Sequence, residues 1–103
     1  MVVDVAGQAL TFGEHLRGWR LVLGLTALQV CERADISPNT LRALERGKTT
    51  VGFDTVLRVA RALGVLDQLI ESVDPLTSDL GRARAAALGR QRVSSPRRIA
   101  SES

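Results

Sequence analysis

The chain has 103 residues and a formal net charge of +3, enough for one small domain plus extra chain but too short for two full domains. About 45% of positions are hydrophobic and only Phe12, Trp19 and Phe53 are aromatic, so the predicted core is aliphatic. A single cysteine, Cys31, and a single histidine, His15, leave no disulfide framework and argue against a Cys/His zinc site or a Cys–His nucleophile pair. No apolar run approaches the ~20 residues of a membrane span, and no signal peptide is expected. The expectation is a soluble, cytoplasmic chain that is not an enzyme, with no catalytic residues, no metal and no cofactor.

Residues 1–11 read as a loose N-terminal arm, in which Val2-Val3-Asp4-Val5 forms a short strand or nothing regular. From Phe12 the apolar spacing becomes helical: Phe12, Leu16, Trp19 and Leu23 share one face of a first helix that stops at Gly24. Thr26 and Gln29 form a capping box that opens a second helix, predicted to bury Ala27, Val30, Cys31 and Ala34. Asp35-Ile36-Ser37 is a tight joint in which Asp35 tolerates a left-handed backbone. Ser37 caps a third helix with Pro38 at its first position, and that helix ends at Arg46 before Gly47. A fourth helix has Asp54 in its first turn and an inner stripe of Phe53, Val56, Leu57, Ala60 and Leu63, stopping at Gly64. Leu66, Leu69, Ile70 and Val73 mark a short fifth helix ended by Asp74-Pro75. Their apolar face serves the bundle core or a contact between two copies. Residues 12–73 thus form an all-α, five-helix bundle, and residues 74–103 form a tail with a short helix near 78–88 and disorder beyond. The charge divides unevenly: residues 13–73 are nearly neutral, whereas residues 74–103 hold six arginines against three acids. The basic balance therefore belongs mostly to the tail.

Helices two and three have the lengths and joint of a helix-turn-helix that enters DNA. On a wheel of about 100° per residue, Leu41 and Leu44 of the third helix fall inside, while Asn39, Arg42, Ala43 and Arg46 fall outside. Two guanidinium groups, an amide and one small residue suit the major groove: asparagine can pair with adenine and arginine with guanine. The same side chains also suit an ordinary solvated face; the preceding helix and turn favour the groove. The wheel further directs Arg20 and Glu45 toward the core, where each charge is costly unless the two meet. The planar guanidinium fork can hold a carboxylate through two hydrogen bonds.

The blocks Gly24-Leu25-Thr26, Glu32 through Ser37, Thr40-Leu41, Leu44 through Lys48, Asp54 through Leu57 and Ala60 through Val65 closely resemble the Xre/Cro-like, lambda-repressor-type DNA-binding domain. The resemblance covers residues 12 to about 72 and implies a lambda-repressor-like bundle with the same Arg20–Glu45 pair. It implies that Pro38, Asn39, Arg42 and Ala43 face bases, and that Thr26, Thr40, Arg46, Lys48 and Thr49 hold the DNA backbone. The chain departs from the family pattern at Ala27, where glutamine is usual, at Asp35, where glycine is usual, and at Cys31, where alanine is usual. Losing the glutamine narrows the expected set of direct contacts.

Cys31 and Trp19 read as core residues, and His15 as a surface residue. The tail reads as low-complexity disorder, a non-specific DNA-binding arm, or a segment that folds on a protein partner. Asp74-Pro75-Leu76, Asp79 through Arg82 and Arg90 through Val93 weakly resemble the tail of HipB-like antitoxins, implying a HipA-like toxin kinase as partner through residues 74–93. The leading expectation is a homodimeric, sequence-specific regulator of a double-stranded DNA operator, in its specific version an autorepressing antitoxin of a toxin-antitoxin operon. The alternative is a protein-interaction module of the same fold with little operator affinity.

Overall fold

A computed structural model describes residues 4–91, and every regular element among them is helical. The order is α1 (Val5–Val22), α2 (Ala27–Ala34), α3 (Pro38–Glu45), α4 (Phe53–Leu63), α5 (Leu66–Ser72), a 3₁₀ turn (Pro75–Thr77) and α6 (Asp79–Gln91). The chain divides into two compact units, one through Leu69 and one from Ile70.

The core of the first unit gathers Leu16, Val30, Cys31, Ala34, Leu41, Leu44, Val59, Ala60, Leu63 and Val65. Aliphatic side chains fill it, as the scarcity of aromatics requires. Phe12, Leu25, Ile36, Val51, Val56, Leu66 and Leu69 pack around it, half-buried. Fully burying a Leu or Val side chain contributes roughly 1.5–3 kcal/mol. α2 lies against α4, and α1 lies against α3.

Several expectations are corrected. The loose arm over 1–11 gives way to helix from Val5, because the Asp4 carboxylate accepts the Gly7 amide at 2.7 Å and caps α1. Residues 1–3 of that arm lie outside the described residues. The inner line of α1 is Gly13, Leu16 and Arg20, whereas Trp19 is 43% and Leu23 46% exposed. Gly13 sets this phase. A Cβ there would overlap the Leu44 carbonyl oxygen and stand 2.7 Å from that of Glu45, so α1 and α3 touch backbone to backbone. Ala27 is exposed at the first position of α2, where only one later turn of the helix faces the core. In α4, Phe53 is 75% exposed and Val59 fills the interior instead. Within α5, Leu66 and Leu69 pack on the core while Ile70 and Val73 are exposed.

The second unit is built locally. Asp74 caps the 3₁₀ turn by accepting the Leu76 amide at 2.9 Å. Ser78 Oγ accepts the Gly81 amide at 2.9 Å and starts α6, which runs to Gln91 rather than ending near 88. Arg82 donates to the Leu76 carbonyl at 2.9 Å and pairs with Asp79. Leu76, Leu80 and Leu88 remain exposed. The disorder expected toward the chain end falls on residues 92–103, outside the described residues.

Candidate nucleic-acid interface

The turn between α2 and α3 follows from three local devices. Thr26 Oγ1 accepts the Gln29 amide at 3.1 Å while Gln29 Oε1 accepts the Thr26 amide at 2.8 Å, closing a reciprocal cap on α2. Asp35 ends α2 at φ 57°, a left-handed backbone in which a short polar side chain is tolerated. Ser37 then accepts the Thr40 amide at 3.1 Å and opens α3, with Pro38 where its missing N–H has no helical partner to lose.

These devices fix which side of α3 faces out. Leu41 and Leu44 are buried, while Pro38, Asn39, Arg42 and Arg46 are exposed and Ala43 is half-buried. Thr40 is half-buried, its hydroxyl sharing a 2.9 Å hydrogen bond with that of Ser37. Thr26, Lys48 and Thr49 are exposed. The loop that carries Lys48 and Thr49 begins at Gly47, φ 79°, where a Cβ would stand 2.5 Å from Leu10 Cα. Only glycine allows that loop to lie so close on α1.

Behind α3, Arg20 Nε donates to Glu45 Oε2 at 2.8 Å and Nη2 donates to Oε1 at 3.2 Å. Nη1 donates to the Leu25 carbonyl at 3.3 Å. The two side chains retain 12% and 11% of their exposure, so this is an internal two-point pair rather than a surface contact. The hydrogen bonds to Glu45 push the Arg20 guanidinium above its ordinary pKa, with burial opposing. At Cys31 burial acts in the opposite sense and raises the thiol, and the Glu45 charge adds to that rise.

Sequence reasoning missed two features. Arg17 of α1 lines the same cleft, of about 290 Å³, as Ala27, Pro38, Arg42 and Arg46, with the Arg20–Glu45 pair also at its wall. The hollow gathers the positive charge that the near-neutral domain lacks as a whole. The other feature is a link on the outer face: Arg42 Nη1 donates to Asn39 Oδ1 at 3.0 Å. Their spacing of three residues was the available signal.

Among the described residues, no group of His, Cys, Asp and Glu is placed to hold a metal ion. None of their helices is long and apolar enough to cross a membrane. No curated protein and no solved structure matches the chain. Residues 11–73 match the family model described as a helix-turn-helix domain. That match spans more than half of the sequence and includes the capped α2, the left-handed turn and α3, so the chain belongs to the helix-turn-helix domain family.

Proposed function

We propose that this chain is a sequence-specific transcriptional regulator of the Xre/Cro-like, lambda-repressor-type kind, binding double-stranded DNA through α3. The observation that carries the reading is the division of α3 into a buried Leu41/Leu44 side and an exposed side of Asn39, Arg42 and Arg46, braced from behind by Arg20 and Glu45. Pro38, Asn39, Arg42 and Ala43 face base edges, and Thr26, Thr40, Arg46, Lys48 and Thr49 hold the backbone. Two copies bind a roughly palindromic operator with their α3 helices about 34 Å apart, one DNA turn. In its specific version the protein is a cytoplasmic, nucleoid-associated antitoxin that represses its own operon.

A gel-shift titration on DNA upstream of its own gene tests this. The shift should persist with competitor DNA at ordinary salt. Arg46→Ala or Lys48→Ala should weaken all sequences alike and flatten the dependence of log K on log salt by about 0.9 each. Loss of the shift to competitor would refute operator recognition.

One observation favours a second reading, a protein-interaction module that neutralises a toxin kinase: the second unit exposes Leu76, Leu80 and Leu88. Under that reading, Leu80→Asp with Leu88→Asp abolishes binding to a kinase-like toxin encoded beside this gene, while operator affinity is unchanged. Unimpaired toxin binding by the double variant would refute it.

A further inference from the structure

The outer face of α3 is rich in hydrogen-bond donors and nearly devoid of acceptors. Among Pro38, Asn39, Arg42, Ala43 and Arg46, only Asn39 has a side-chain acceptor, its Oδ1. That oxygen is engaged, because Arg42 Nη1 donates to it at 3.0 Å across one turn. The amide orientation follows from chemistry, since a guanidinium N–H has no acceptor in an NH₂ group.

Two consequences follow. Asparagine matches adenine only by accepting from N6 through Oδ1 while donating to N7. With a guanidinium 3.0 Å from Oδ1, the incoming adenine amino hydrogens would meet a positive charge. Oδ1 keeps a second lone pair, so adenine is disfavoured by that charge and not by loss of the acceptor. Meanwhile the link restrains the exposed Arg42 side chain by one nitrogen and does not use its other N–H donors. A restrained fork of donors fits the paired acceptors O6 and N7, which in the major groove belong to guanine. Ala43, half-buried beside it, adds no competing polar group.

Resting on the operator reading above, we propose that the base read by α3 is guanine, held by Arg42, and that Asn39 is a positioning residue for Arg42 rather than a reader of adenine. The experiment selects operators from a duplex library with randomised half-sites, using the full chain and its Arg42→Ala, Asn39→Ala and Asn39→Asp variants. Arg42→Ala should erase one guanine from the selected site, a loss of about 5- to 150-fold in preference at that position. Asn39→Ala should weaken the same guanine and erase no adenine. Asn39→Asp keeps an oxygen in place for Arg42 and should retain the guanine, a rescue that a merely structural role would not produce. Without DNA, the ¹⁵N–¹H signal of the Arg42 side chain should shift in Asn39→Ala and stay restrained in Asn39→Asp.

An adenine that vanishes in Asn39→Ala while the guanine persists overturns this inference and leaves the operator reading standing. An unchanged Arg42 signal in Asn39→Ala overturns it as well. Failure of the wild-type chain to select any duplex overturns the operator reading, and the guanine assignment with it.

Discussion

Replacing Glu45 with glutamine removes one charge from the internal pair while nearly preserving volume. Arg20 then keeps its 3.3 Å bond to the Leu25 carbonyl but loses the carboxylate that compensated its burial. Removing one partner of a fully buried pair costs about 3–5 kcal/mol. Here each side chain retains about a tenth of its exposure and Arg20 keeps two neutral acceptors, the Leu25 carbonyl and the new amide oxygen, so the expected loss lies lower, at ~2–3 kcal/mol. For a domain of this size that is a fall in Tm of roughly 10–20 °C. Urea unfolding followed by far-UV circular dichroism provides the free energy, and calorimetry the Tm. The double variant Arg20→Met/Glu45→Leu replaces both charges with apolar groups and should return to within ~1 kcal/mol of the parent. A Glu45→Gln loss below ~0.5 kcal/mol, the scale of an exposed ion pair, would refute the view that this pair anchors α3.

Two further outcomes are expected. Gly13→Ala places a methyl against the carbonyls of Leu44 and Glu45, so it should destabilise by ~1–3 kcal/mol in a thermal melt, whereas Gly18→Ala, with open space around its Cβ, should not destabilise. The raised Cys31 thiol contributes stability that is fully present below the ordinary thiol value near ~8.5 and is lost as pH rises through the higher folded value. Urea midpoints should therefore fall on the alkaline side, and Cys31→Ala should remove that part of the decline. Arg20 contributes no slope there, since its folded value is raised above an ordinary value that already lies beyond the range.

What the sequence revealed most clearly were features governed by one or two neighbouring residues. The Thr26–Gln29 cap, the left-handed Asp35 and the Ser37-Pro38 start of α3 each depend on local chemistry, so a short window suffices. The Arg20–Glu45 pairing was legible for a different reason: two charges on inward faces have few alternatives to meeting. The phase of α1 was not legible, because it depends on how closely α3 approaches. Gly13 carries no apolar side chain and leaves no mark on a hydrophobic stripe, yet it is the point of contact, and it turns Trp19 partly outward. The early start of α1 was hidden similarly. Val5 and Leu10 are exposed, and the ordering comes from the Asp4 cap and from the Gly47 loop lying on the helix backbone. Phe53 misled through its size, since the smaller Val59 fits the aliphatic interior of α4.

Arg20 bonds at once to α3 through Glu45 and to the entrance of α2 through the Leu25 carbonyl. Both halves of the motif are thus bolted to a single post, and tilting one without the other would break a contact at that post. Re-aiming α3 therefore costs hydrogen bonds at Arg20, whereas exchanging side chains along its outer edge leaves the post untouched.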